Sequence, residues 1–235
     1  MKKVLLIFVV PFIALAAPQT KLRQKVEFGY FGTTGNSNTN SITAAYRFSY
    51  KFNKKSRCKF FADILYSNRN GQTNNERYRS EFTLYHYYRK HLYSFLELGF
   101  LRNTFEGYNQ QYSFNPGFGF LMLKTKKQKL DILAGYELRR NNYTNQPSDF
   151  FHYIKGEIQH HYRLTKKNSI KTKLSFIENL QEREDFESNL ETSLRLHIIK
   201  RLSFKISFEL KYDNLPPAGK KNTDTVTKAA IVYNF

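Results

Sequence analysis

The sequence predicts an all-β protein, a single transmembrane antiparallel β-barrel of the outer-membrane type with about twelve strands. Three observations predict it. Apolar and aromatic side chains alternate with polar ones along most of the chain, the alternating segments are longer than strands of soluble sheets, and the chain ends on an aromatic residue in phase with that alternation. Strands that cross a membrane at a tilt need about 9–11 residues and alternate between lipid and lumen.

The first element in chain order is a predicted signal peptide over residues 1–16. Lys2 and Lys3 precede an apolar run that ends at Ala17, and Ala14-Leu15-Ala16 places small residues at the spacing of a cleavage site. The apolar run is too short for a membrane helix but matches the core of a secretory signal. We therefore expect export, with residues 17–235 forming the barrel domain.

Composition fits strands with two unlike faces. Mean hydropathy is −0.61, yet the chain contains 17 Tyr and 22 Phe, with no Trp. Disordered segments are poor in aromatic residues, so disorder is a poor match. One cysteine, Cys58, rules out a disulfide within the chain and is expected to be a small strand residue.

Period-two alternation defines the strands. Apolar side chains at even positions interleave with polar ones at odd positions along 202–212, and 42–52 shows the same pattern. A helix would instead need apolar residues three and four apart. Alternation and turn residues together predict strands at 25–33, 41–52, 57–68, 76–88, 92–103, 110–123, 129–140, 150–163, 169–179, 186–198, 202–213 and 224–235.

The predicted connections alternate between two kinds. One set is short and basic, at 53–57, 89–91, 124–129, 165–168 and 200–201; the other is mostly longer and rich in Asn, Gly, Gln and Pro, at 35–40, 69–75, 104–109, 141–149, 181–185 and 215–223. Bacterial barrels have short periplasmic turns and longer outer loops. We therefore expect both termini in the periplasm.

Much of the formal charge of +19 lies in the short turns. Basic turns can meet the anionic phospholipid headgroups of the inner leaflet or periplasmic polymers, or can serve only solubility and the protection of the turns during transit. A basic chain would otherwise suggest nucleic-acid binding. The predicted export excludes nucleic acid as a partner.

The last strand carries the barrel signature Ile231, Tyr233 and Phe235, at every second position up to the end. These side chains are expected to face lipid, while the strand pairs with the first one at 25–33 and closes the barrel. The same strand is expected to be recognised by the barrel-assembly machinery. A monomer is the favoured oligomeric state.

The opposite face of each strand supplies the predicted lumen. Its charged members are Glu27, Arg47, Lys51, Lys59, Asp63, Arg77, Arg79, Glu81, Glu97, Asp131, Glu137, Arg139, Lys155, Glu157, Arg163, Lys171, Lys173, Glu187, Glu191, Arg195, Lys205, Glu209 and Lys211. Two outcomes are open. Paired ladders of opposite charge would brace and occlude a narrow barrel, or the side chains would line a water-filled passage with a weak preference for anions.

Catalytic, cofactor and metal sites are not expected. His152 lies close to Ser148 and Asp149 at a predicted loop rim, where a hydrolase site would have to form, but isolated groups at loop edges are usually solvated. Asp213 and Asp224 fall near the same rim.

Two further motifs also favour structural readings. The adjacent His160 and His161 point to opposite faces of a strand and cannot share a metal. The run Gly117-Phe118-Gly119 is expected to relieve crowding inside the barrel.

An ordered set of short motifs resembles one family. They are Gly35-Asn36-Ser37-Asn38-Thr39, Glu76-Arg77-Tyr78, Phe105-Glu106-Gly107-Tyr108, Pro216-Pro217-Ala218-Gly219, Thr223-Asp224-Thr225 and a final Tyr-x-Phe. The family is the one labelled salt-induced outer membrane protein (domain of unknown function 481). The resemblance implies an outer-membrane β-barrel with no established activity, and it supplies no catalytic residues.

We therefore expect a non-enzymatic protein of the outer membrane, either a narrow or occluded channel or a structural component of the envelope. The alternatives are an outer-membrane hydrolase of the phospholipase or protease kind with a rim active site, and a soluble β-barrel or sandwich in the periplasm. The soluble alternative predicts apolar side chains inside and charged ones outside.

Overall fold

A computed structural model describes residues 21–33, 39–70, 72–145 and 147–235, and among these residues twelve strands form one closed antiparallel barrel. The strands are β1 (Leu22–Thr33), β2 (Thr39–Lys51), β3 (Ser56–Arg69), β4 (Gln72–Tyr87), β5 (Leu92–Asn103), β6 (Tyr108–Lys124), β7 (Gln128–Tyr143), β8 (Asp149–Arg163), β9 (Ser169–Asn179), β10 (Phe186–Ile199), β11 (Leu202–Asp213) and β12 (Thr223–Asn234). The predicted signal peptide and most of the predicted loop 35–40 lie outside the described residues. The twelve-stranded barrel prediction is confirmed.

Several strands extend beyond the predicted ends. β4 begins at Gln72, so most of the predicted loop 69–75 is strand. β7 runs to Tyr143, into the predicted loop 141–149. Backbone pairing needs no apolar face, and these polar extensions therefore lack the alternation by which the sequence defines a strand. The contrast between short turns and long loops is consequently smaller than predicted. We call the end with connections 104–107, 180–185 and 214–222 the loop end, and the end with connections 52–55, 88–91, 125–127, 164–168 and 200–201 the turn end.

The first and last strands close the barrel, as predicted. β1 and β12 pair from Lys25↔Asn234 to Phe28↔Ile231, and the backbone N–H of Phe235 donates to the carbonyl of Gln24 at 3.3 Å. Four residue pairs join β1 and β12 at this seam, against twelve between β1 and β2. Within the described residues the seam is the least extensively paired part of the barrel.

The outer surface is apolar on every strand. Phe28, Phe118 and Ile154, for example, are 56%, 63% and 53% exposed. A continuous apolar outer surface with charged residues enclosed inverts the pattern of a soluble protein, and it is the lipid-facing belt of an outer-membrane barrel. The soluble alternative is therefore wrong. Among the described residues no helix is long and apolar enough to span a membrane.

The interior is not wholly polar. Tyr85, Tyr93, Phe95 and Leu133 form a buried cluster inside the barrel near the turn end. A Cβ at Gly117 would overlap the ring of Phe95, and one at Gly119 would overlap the ring of Tyr93. The two glycines thus make room for these rings, which confirms the interpretation of Gly117-Phe118-Gly119.

Candidate functional site: an ion-paired lumen

Twenty-two of the twenty-three predicted lumen charges line internal cavities of the barrel. The exception is Lys51, the last residue of β2, whose side chain is exposed. Inward position follows from strand periodicity, since every second side chain of a strand points to the same face. The contacts between these charges follow from the closed barrel, which brings strands far apart in sequence within reach of one another.

A lattice of ion pairs lies between the two ends of the lumen. Arg79 Nε donates to Asp63 Oδ1 at 2.8 Å, and Arg79 Nη1 donates to Glu191 Oε1 at 3.2 Å. Arg77 donates to Asp63 Oδ2 at 2.9 Å and to Glu209 Oε2 at 2.8 Å. β4 and β10 stand at opposite sides of the strand order, so the Arg79–Glu191 pair crosses the full width of the lumen.

Lys228 completes this lattice and is absent from the predicted set. Its Nζ lies 2.6 Å from Glu209 Oε1 and 3.4 Å from Asp63 Oδ2. The signal that could have found it is the last strand itself. If Ile231 and Tyr233 face lipid, the even-numbered residues of β12 face inward. We call Asp63, Arg77, Arg79, Glu191, Glu209 and Lys228 the central lattice.

A second group of ion pairs lies toward the loop end. Arg139 lies 2.7 Å from Glu137 and 2.5 Å from Glu187, and its guanidinium stacks over the ring of Tyr153 at 4.5 Å. All four side chains are buried. Stacking and paired hydrogen bonds suit the planar guanidinium, so this group holds β7, β8 and β10 together across the lumen.

Two other lysines join this loop-end group. Lys155 bridges Glu97 and Glu137 at 3.3 and 3.4 Å. Lys211 lies 2.8 Å from Glu106, a residue of the connection 104–107. Glu106 could not be predicted as a lumen residue, because strand alternation says nothing about loop side chains.

The central lattice separates two cavities of opposite character. The loop-end cavity has a volume of about 180 Å³ and is lined by six Lys and Arg against eight Asp and Glu. The turn-end cavity has about 640 Å³ and is lined by thirteen Lys and Arg against six Asp and Glu. Arg79, Glu191 and Glu209 line both, so the lattice forms the wall between them. The lumen is therefore narrow and polarised along its axis.

A family model described as "Protein of unknown function, DUF481" matches residues 26–235. The chain belongs to this family. The predicted resemblance is therefore confirmed at the level of the family. No curated protein sequence matches the chain.

Solved structures similar to this DUF481 barrel are outer-membrane proteins. The COG4313 outer membrane channel from Pseudomonas putida F1 superposes with a TM-score of 0.56 at 9% identity, covering 94% of this chain and 97% of that one. The NanC porin gives 0.51 at 9% identity, over 91% and 97%. The translocator domain of the autotransporter NalP from Neisseria meningitidis gives 0.51 at 10% identity, over 94% and 90%. At these identities the likeness shows the fold alone, a closed outer-membrane β-barrel.

The residues of the hydrolase alternative do not converge in the DUF481 barrel. His152 hydrogen-bonds through Nδ1 to the hydroxyl of Tyr136 on the outer surface. Asp213 is buried in the lumen, where it accepts a hydrogen bond from Tyr108 at 3.5 Å, and Asp224 lines the loop-end cavity. The predicted rim residues therefore point in different directions.

A serine and a histidine do meet at the turn end, where Ser56 Oγ lies 3.1 Å from His86 Nδ1. The His86 ring also packs against Tyr88. The hydrogen bonds of the described residues connect no carboxylate to His86, so the third member of a catalytic triad is not in place there. Among the described residues no three His, Cys, Asp or Glu side chains are placed to hold a metal.

Proposed function

We propose that this DUF481 protein is a non-enzymatic, narrow channel of the outer membrane whose lumen is held closed by the central lattice. The single observation that carries the proposal is the Arg79–Glu191 pair, which joins strands on opposite sides of the barrel at 3.2 Å. Paired charges that meet across a lumen constrict it, so larger solutes would be blocked and any conductance would be that of small ions. The polar cavity on each side supplies the two halves of a path.

The proposal includes an orientation and partners. β1 begins and β12 ends at the turn end. We place this end in the periplasm, where the basic turns would contact the inner leaflet of outer-membrane lipids. β12, with Ile231, Tyr233 and Phe235, would be the segment presented to the barrel-assembly machinery. Tyr233 and Phe235 form an edge-on aromatic pair at 4.8 Å, and Phe235 is 66% exposed, which supports an outward-facing signature. The assembled protein would be a monomer.

Planar-bilayer conductance of the refolded protein tests the channel. The wild type is expected to show small or no steps, with a weak anion preference. Arg79→Ala removes the guanidinium that contacts Asp63, Glu191 and Glu209, and we expect it to raise the single-channel conductance several-fold. The matched control is Arg89→Ala, which removes an exposed arginine from the turn 88–91 and should leave conductance unchanged.

Heat-modifiable migration on a gel must first show that each variant is folded. Large cation-selective steps in the wild type would refute the closed, anion-leaning lumen. Unchanged conductance in folded Arg79→Ala would refute the role of the lattice, and would favour a structural role for the braced barrel.

A further inference from the structure

Many of the Lys and Arg side chains that line the turn-end cavity form no ion pair with a carboxylate of the described residues. Glu27 is engaged by Arg47 at 3.2 Å and by Lys205 at 2.7 Å. Asp131 is engaged by Lys129 and by the Tyr93 hydroxyl. Asp63, Glu191 and Glu209 belong to the central lattice, and Glu81 lies at its boundary, lining both cavities.

Seven of the thirteen cations that line this cavity have no described carboxylate within 4 Å. They are Arg23, Lys25, Arg57, Lys59, Arg163, Lys171 and Arg195. Arg195 makes only neutral contacts, to Ser203 Oγ at 3.1 Å and Asn234 Oδ1 at 2.9 Å. The buried Nε atoms of Arg57 and Arg195 have no hydrogen-bond partner among the described residues.

These cations converge on one space. Lys59 on β3 and Lys171 on β9 stand on opposite strands of the barrel, yet both line this one cavity, together with Lys25 and Arg195. Lys59 is held in place from the side, 3.3 Å from the hydroxyl of Tyr85. Like charges facing one another across a confined lumen repel, and the repulsion is relieved when an anion occupies the space between them.

We infer that the turn-end cavity is a binding site for a small multivalent oxyanion, one that carries several phosphate or carboxylate groups. A volume of about 640 Å³ is that of a small-molecule site. Arginine forks and lysine ammonium groups are the donors that recognise such oxyanions. The inference goes beyond the proposed channel, because the site can bind its ligand whether or not the central lattice lets solutes pass.

Isothermal titration calorimetry of the refolded full chain in zwitterionic detergent at low salt tests the site without requiring conduction. Tripolyphosphate and citrate are the two probes, and glucose is the uncharged comparison. We expect one or both anions to bind, with the affinity falling as salt is added. The probe that binds tells whether phosphate or carboxylate chemistry is preferred.

Two variants localise the binding. The double variant Lys25→Gln with Lys171→Gln should weaken anion binding about tenfold or more. The control, Lys166→Gln with Lys167→Gln, removes the same charge from the exposed turn 164–168 at the same end and should change affinity less than about twofold. Glu27→Gln frees Arg47 and Lys205 and should tighten binding. The inference is overturned if neither anion binds. It is also overturned if the two lysine double variants weaken anion binding equally, or if Glu27→Gln does not tighten it.

Discussion

Replacement of Arg139 by Met should destabilise the barrel by about 3 kcal/mol. Arg139 is 4% exposed and contacts Glu137 at 2.7 Å and Glu187 at 2.5 Å. Each charge-assisted hydrogen bond contributes about 1.5–3 kcal/mol. Part of the loss is offset because Glu137 keeps Lys155 at 3.4 Å and Glu187 keeps Lys211 at 3.9 Å. The expected cost therefore lies at the lower end of the about 3–5 kcal/mol for removing one partner of a buried pair.

Two further variants separate charge from packing. Arg140→Met changes the next residue, whose exposed side chain stacks on Phe150 at 5.2 Å, and should cost about 0.5 kcal/mol or less. Arg139→Met combined with Glu137→Gln and Glu187→Gln removes the two carboxylates that the single variant leaves underpaired and should recover most of the loss.

The assay is urea unfolding of the protein in lipid vesicles. The chain has no Trp, so unfolding is followed by far-UV circular dichroism and by the gel shift between folded and unfolded forms. A cost for Arg139→Met that is no larger than that for Arg140→Met would refute the stabilising role of the loop-end ion pairs. A triple variant as unstable as the single one would show that packing, rather than the underpaired carboxylates, causes the loss.

Three further predictions concern the rest of the barrel. Gly119→Val should lower the folded yield, because its Cβ would overlap the ring of Tyr93. Gly156→Ala, with open space around the added Cβ, should not lower it, and equal yields of the two variants would contradict the crowding argument. Lys228→Met should destabilise the barrel by about 3 kcal/mol in the same urea assay, since it leaves lattice carboxylates underpaired. A change below about 0.5 kcal/mol would show that its contacts are dispensable. Cys58 is 5% exposed, so a water-soluble maleimide should label it only after unfolding, and rapid labelling of the folded protein would contradict its burial.

The hydrogen-bond partner of His152 could not be predicted from the sequence. His152, Ser148 and Asp149 are neighbours in sequence, but the hydrogen bond of His152 goes to Tyr136 on the adjacent strand. The partner of His152 is therefore not one of its sequence neighbours, since cross-strand pairing decides which side chains meet.

The sequence by itself determined the strands, their order around the barrel and the face on which most charges lie. These are local properties, because each strand alternates between lipid and lumen whatever its neighbours do. The same local rule, applied to the strand that ends in Phe235, would have placed Lys228 inside. Only the closed barrel decided that Arg79 meets Glu191, and that unpaired cations collect at the turn end. Those contacts depend on the register of all twelve strands, which sets the height of each side chain in the lumen and which no single segment encodes.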